Sequence, residues 1–350
     1  MKKLLTMLVL FLIGTVAVQA QDKRYAVYGI GFYNLENLFD TCHDAGKNDY
    51  EYLPDGRNRW SGLKYSHKLK NMSKVLAEMG TNYLPNVGCA IIGVSEVENA
   101  RCMTDLCNQP PLKARNYQFC HIEGPDKRGV DCALIYNPKL FKVRDTKLVP
   151  YVYDLEIDKD RATRGFLTVS GTLAGEHVTV VVCHWPSRGA TSYYRELAAK
   201  QVRALKDSLL RDDPQVKVIV MGDMNDDPTN KSMMVELRCK SEIKDVGPGD
   251  MYNPWYNTLV KKGTGTLMYQ GAWNLFDQIV VSPNLVNADG KADYSTLKFR
   301  MHEVFRRDYL FQKDGKYKGS TLRTHAGGAW LDGYSDHLPT VIYLMKESKK

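Results

Sequence analysis

Seven apolar runs in this chain stop at, or start from, residues that can move protons or hold an ion. "GIGFYNLEN" ends on Asn34 and Glu36, "AIIGVSEVEN" on Glu96, "VVVCHWPSR" on His184, Ser187 and Arg188, and "VIVMGDMND" on Asp223 and Asn225. "RGVDCALIYN" and "NLFDQIVVS" begin near Asp131 and Asp277, and "GYSDHLP" places Asp336 and His337 just before a last apolar run. Carboxylate, amide and imidazole groups are the ones from which a hard-metal site and an acid–base pair are built. Taken singly, each fragment has a plainer account. Asp and Asn after a strand satisfy their own backbone in a turn, and a lone histidine serves as a hydrogen-bonded structural group.

The elements that must position these residues are strands. Runs at 24–34, 89–96, 131–137, 166–173, 177–185, 216–223 and 276–282 are short, several are apolar on both faces, and sheets covered on both sides read this way. Leu69, Met72, Val75, Leu76 and Met79 repeat at helical spacing with Gly80 as a stop. Ala198, Val202, Leu205 and Leu209 form a second stripe, with Ser192 as its expected N-cap. The pattern predicts two stacked sheets covered by helices, with the polar strand ends meeting at one edge. In "VIVMGDMNDDP", Gly222 is expected to permit a tight turn, and Asp226 and Asp227 to be turn residues.

No repeat, low-complexity tract or linker divides the chain, which favours one domain over 21–350. Residues 1–20, two lysines followed by an apolar run and small residues around Ala20, have the plan of a secretory signal peptide. The expected product is an exported soluble protein, periplasmic or secreted, with no membrane insertion. Removing Lys2 and Lys3 lowers the formal charge from +8 to +6, a mild basic balance that suits a phosphate-bearing partner without demanding nucleic acid. Residues 41–60 and 286–333 read as long loops, the second carrying Lys298, Arg300, Arg306, Arg307, Lys313, Lys316, Lys318 and Arg323.

Among the eight cysteines, Cys89, Cys132 and Cys183 lie in strand-like runs and read as buried thiols. Cys42, Cys102, Cys107, Cys120 and Cys239 have more polar neighbours and leave room for one or two bridges. No C-x-x-C pair or His/Cys cluster marks structural zinc. Tyr193, Tyr194, Trp255, Tyr269, Trp273 and Trp330 lie near motifs or in loops, where they either pack or stack on bases and sugars.

The order of the fragments "FYNLEN", "GVSEVEN", "RGVDCALIYN", "CHWPSR", "MGDMND", "FDQIVVS" and "SDHLP" resembles the endonuclease/exonuclease/phosphatase superfamily, over nearly the whole mature chain. The resemblance implies an α+β fold, a four-layer α/β/β/α sandwich of two mixed, mainly antiparallel sheets with helices outside. It implies hydrolysis of a phosphate ester with Mg²⁺ or Mn²⁺. On that basis Glu96 is the main metal ligand, Asn34 and Asp336 help hold the ion or its waters, and Glu36 occupies a second acidic position. Asp223 and Asn225 orient or activate water, His337, held by Asp277, contacts a phosphate oxygen or the leaving group, and His184 works with an acidic partner, for which Asp131 is the candidate. Nuclease-type phosphodiester cleavage is the preferred subclass. A small phosphorylated substrate (sugar phosphate, nucleotide or inositol phosphate) and a non-catalytic exported binding protein are the alternatives. No apolar hairpin of a lipid-cleaving member and no lysine-bearing pocket of an inositol phosphatase is recognisable.

Overall fold

The computed structural model describes residues 24–158 and 161–348, so the signal-peptide reading of residues 1–20 falls outside them. In chain order the strands are β1 (Arg24–Leu38), β2 (Cys89–Val97), β3 (Gln118–His121), β4 (Asp131–Tyr136), β5 (Phe141–Val149), β6 (Phe166–Leu173), β7 (Glu176–His184), β8 (Lys217–Asp223), β9 (Cys239–Lys240), β10 (Met251–Tyr252), β11 (Leu267–Tyr269), β12 (Ala272–Asn274), β13 (Asp277–Val281), β14 (Lys298–Val304), β15 (His325–Ala326), β16 (Ala329–Trp330) and β17 (Thr340–Ser348). One sheet has the order β14-β17-β1-β2-β4-β3 and the other β5-β6-β7-β8-β13-β10-β9. Most neighbours are antiparallel, but β1 and β2 run parallel, as do β7 and β8. The helices are α1 (Gly62–Glu78), α2 (Ala100–Cys107), α3 (Pro110–Lys113), α4 (Ser192–Asp212) and α5 (Trp255–Lys262).

The doubly apolar runs are explained by the layers. Alternate residues of a strand face opposite sides, and here each side meets a core. In β7, Val178, Val180 and Val182 enter the layer between the sheets, while Val181 and Cys183 enter the layer under α4 with Leu197, Ala198 and Val202. In the first sheet, Ile30 and Phe32 face the inter-sheet layer, and Tyr33 and Leu35 face α1 through Leu69, Met72, Val75 and Leu76. The four layers expected from the resemblance are present.

Several local expectations change. The N-cap of α4 is Thr191, one residue before the expected Ser192, and no side chain caps it. Gly222 lies inside β8, where a Cβ would collide with the carbonyl of Cys183 on the neighbouring strand. Close strand approach, and not a turn, therefore requires glycine there. All eight cysteines are free. Of the bridge candidates, Cys102 and Cys107 pack in the α1 layer, Cys239 in the α4 layer, and Cys42 is exposed. The stretch 286–333 contains β14, an edge strand paired with β17, and the small β15–β16 ribbon. β14, "KFRMHEV", is largely half-buried, so its pattern lacks the continuous apolar signal of the inner strands. Among the described residues no helix is long and apolar enough to cross a membrane.

Candidate active site

Register assembles half of the site. His184, at the end of β7, pairs with Asp223, at the end of β8, and Asp223 pairs with Asp277, at the start of antiparallel β13. The three residues thus form one row across the second sheet. They share the parity of Val182, Met221 and Ile279, which face the inter-sheet layer, so their side chains point into the rim of that layer. Asn34 has the parity of Ile30 and Phe32 and faces the same rim from the first sheet, ending a run in which it pairs with Ser95.

Glu96 arrives by a different device. By simple alternation it would share the face of Ile92 and Val94, which pack against the α1 layer. A register irregularity between Ser95 and Val97, together with φ of 61° at Glu96, breaks the alternation. Bulges re-aim side chains in this way, and a left-handed φ costs a non-glycine residue energy that the surroundings must supply. Glu36 (φ 48°) and Asn225 (φ 50°) carry the same signature.

Hydrogen bonds then fix the side chains. Asn34 Nδ2 donates to Asp223 Oδ2 at 3.0 Å, and the backbone N–H of Asn225 donates to Asp223 Oδ1 at 2.9 Å. Asn225 Nδ2 donates to the Trp185 carbonyl. His337 Nδ1 lies 2.7 Å from Asp277 Oδ2, and His337 Nε2 lies 3.8 Å from Asp223 Oδ2. Ser335, in "YSDH", donates through Oγ to the Asn34 carbonyl and accepts the N–H of His337, tying the β17 approach to β1.

The charges respond to this burial. Burial alone would depress the His337 pKa, but Asp277 and Asp223 outweigh it and hold the imidazolium well above its ordinary value. Burial pushes Asp223 up to about 7, against the opposing charge of His337. His184 is driven well below its ordinary value by burial, with the charges of Arg164, Arg128 and His337 adding to it, and is a neutral imidazole. Its Nε2 lies 3.7 Å from both Glu96 Oε1 and Asp223 Oδ2, and its Nδ1 has no hydrogen-bond partner among the described residues.

One assignment carried over from the resemblance is corrected. Asp131 does not partner His184: its carboxylate takes His121 Nε2 at 3.1 Å and the Gly124 N–H at 2.9 Å. Glu36 has both oxygens engaged, one accepting from Arg323 Nε and the other from the Thr324 N–H, both at 2.8 Å. Arg323 further pairs with Asp336 at 2.9 Å. Its guanidinium, from the stretch read as a basic loop, is thus a member of the site that no local motif marked. Asp226 and Asp227 are more than turn residues: Asp226 is buried against Arg195 at 2.8 Å, and Asp227 accepts the Leu275 N–H at 2.7 Å.

The donor set suits a hard divalent cation, which prefers carboxylate and amide oxygens. Side-chain exposures of 15% for Glu96 and 23% for Asp336, against 3% for Asp223 and 0% for Asp277, make Glu96 and Asp336 the more open carboxylates of the site. Glu96 Oε2 accepts the Asn37 N–H, whereas Oε1 has no hydrogen bond among the described residues. Asp223, Asp277 and His337 also bring ligand atoms together, as do Asp40, Glu98 and Cys102. The first trio is already joined by the Asp277–His337 hydrogen bond. In the second, burial keeps the Cys102 thiol protonated and raises Glu98 to about 8.

An imidazolium held by one buried carboxylate, a second carboxylate braced by amides, and open acidic groups beside them define a phosphoester-hydrolysing type of site. A model of the Endonuclease/Exonuclease/phosphatase family matches residues 29–346, and the chain belongs to that family. It is a hydrolase of phosphate esters, in a family whose enzymes depend on a divalent metal. The structure is similar to an endonuclease/exonuclease/phosphatase family protein from Bacteroides thetaiotaomicron (TM-score 0.54, 15% identity, covering 93% of this chain and 97% of that one). It is similar to a mannosyl-6-phosphatase from the same organism (0.53, 16%, 91% and 99%) and to D. rerio TDP2 complexed with single strand DNA product (0.52, 13%, 91% and 99%). At these identities the likeness is one of fold. No curated protein sequence matches the chain.

Proposed function

We propose that the protein is an exported hydrolase of phosphate esters that works with Mg²⁺ or Mn²⁺, a single catalytic domain following a signal peptide at residues 1–20. The observation that carries the catalytic reading is the juxtaposition of the His337 imidazolium with Asp223 at 3.8 Å, beside the open carboxylates of Glu96 and Asp336. Glu96, with Asp336 and the amide of Asn34, would hold the ion, which when bound polarises a phosphate oxygen. Asp223, steadied by Asn34 and the Asn225 N–H, orients the attacking water and takes its proton. The His337 Nε2–H faces a phosphate oxygen and offsets its growing charge, and Asp277 keeps that proton in place. Neutral His184 stands beside Asp223 as an alternative acceptor. Asn225 offers its side-chain carbonyl to the water, since its amide nitrogen is bound to Trp185.

The structural neighbours include one described with a DNA product and one described as a mannosyl-6-phosphatase, so both phosphodiesters and phosphomonoesters belong in the first panel. The test incubates the purified chain from residue 21 with Mg²⁺ or Mn²⁺ and duplex DNA, single-stranded DNA, RNA, nucleotides, sugar phosphates, inositol phosphates and sphingomyelin. Asp223→Ala and a chelator are the controls. Turnover that survives both controls would contradict the proposed chemistry.

A further inference from the structure

A cavity of about 560 Å³ opens beside Asp336 and Arg323, walled by the β11–β12 hairpin and by the chain around Gln312 to Gly327. A pocket of this size encloses a small molecule. It is fastened to the catalytic rim: Leu267 of β11 forms an antiparallel bridge with His337, the Leu338 N–H donates to the Thr266 carbonyl at 2.7 Å, and Thr321 Oγ1 donates to the Asp336 carbonyl at 2.9 Å. A group held in the cavity therefore has a set distance from His337 and Asp336.

The chemistry of the lining is selective. Arg323 and Asp336, at the end nearest the catalytic rim, are its charged members; the rest of the wall is neutral. It offers two aromatic faces, Tyr269 and Tyr317, which are 62% and 58% exposed, and the side chains of Gln270 and Gln312. Each of those amides donates through its nitrogen, Gln270 to the Tyr269 hydroxyl and Gln312 to the Thr321 carbonyl, and among the described residues neither amide oxygen has a hydrogen bond. Acceptors without donors, next to aromatic faces, suit a ring that carries hydroxyl groups.

A polynucleotide needs cations along its path, and here the basic stretch sets only Arg323 in the cavity wall, with Lys316 beside it over the Tyr317 ring. Lys298 binds the carbonyls of Asn284 and Val286, Arg306 lies over Trp273 and Phe311, and Arg307 is taken by Asn82 and Glu78. None of Lys313, Lys316 and Lys318 lines the cavity.

We infer that this cavity receives the ring of a sugar phosphate, with the phosphate lying toward Asp336 and His337. The inference rests on the phosphoesterase reading and narrows its substrate class away from nucleic acid. The experiment compares hexose phosphates, pentose phosphates, nucleoside monophosphates and a single-stranded oligonucleotide, by steady-state kinetics and, in parallel, by calorimetric binding, for the wild type, Tyr317→Ala, Tyr269→Ala and Gln312→Ala. Thermal midpoints report folding. The expected result is preference for a sugar phosphate, with KM and Kd raised about tenfold in the variants and kcat changed far less. Preference for the oligonucleotide or the nucleotides, or a sugar phosphate whose KM and Kd ignore all three substitutions, overturns the inference. Binding of a sugar phosphate that the variants weaken, without turnover by the wild type, supports the cavity assignment and removes the hydrolase reading.

Discussion

The Nδ1 of His337 lies 2.7 Å from the fully buried Oδ2 of Asp277, two residues that are 60 positions apart in the chain. A hydrogen bond to a carboxylate that solvent does not reach keeps the imidazole protonated when burial alone would strip it. Asp277→Asn retains an acceptor of the same shape and removes the charge. We expect kcat to fall about 10²-fold at mildly alkaline pH. The descending limb of the kcat–pH profile should move to lower pH, because the imidazolium loses its proton sooner. An unshifted limb would show that the charge on Asp277 does not govern the proton on His337.

Replacing Asp223 or His337 by alanine should cost about 10³-fold in turnover, the scale of a lost acid–base or charge-stabilising group. The circular dichroism spectrum should be unchanged, since both side chains lie at the rim of the inter-sheet layer. Near-normal activity in a folded variant would remove the residue from the mechanism.

Glu96 and Glu36 should separate in a metal titration. Glu96 has an oxygen with no hydrogen bond among the described residues, while both oxygens of Glu36 are held by Arg323 and Thr324. Glu96→Gln is expected to raise the activating Mg²⁺ concentration by about tenfold or more, in line with the loss of a direct carboxylate ligand. Glu36→Gln should change it by much less. Activity titrations and calorimetry with Mn²⁺ check the difference, and equal effects would place Glu36 among the ligands.

Glu98 gives a stability prediction. Burial raises its pKa to about 8, above its unfolded value of about 4.3. Its contribution is therefore fully present below the unfolded value and is lost as pH rises through 8. Between pH 7 and 9 the wild type should lose ~1.4 kcal/mol relative to Glu98→Gln, by proton linkage. Denaturant melts of the two proteins at both pH values measure this, and a constant difference would mean that Glu98 is already ionised at neutral pH.

Much of the site was legible because it lies at strand ends, where an apolar run and the polar residue after it adjoin in the chain. "VIVMGD" announces both a buried strand and Asp223 at its rim, and "FDQIVV" does the same for Asp277. What could not be read were choices made between distant groups. Whether Asp131 meets His121, ten residues before it, or His184 on another strand, and whether Glu36 faces an ion or Arg323, 287 residues away, depends on how the elements pack. Arg323 stood among other basic residues with nothing local to single it out. β14 escaped notice because an edge strand has half the burial, and so half the pattern, of a central one. The cysteines misled because polar neighbours in sequence, as for Cys239, do not prevent burial in the fold.

The row formed by His184, Asp223 and Asp277 makes the chemistry vulnerable to an error of counting. Inserting one residue between Gly222 and Asp223 would leave the apolar strand before it able to pair, since both of its faces are buried and glycine keeps its place beside Cys183. The insertion would nevertheless rotate Asp223 toward α4 and away from both of its row partners. The protein would stay folded and fall silent. Length within these strands is therefore as much a catalytic specification as the acidic residues themselves.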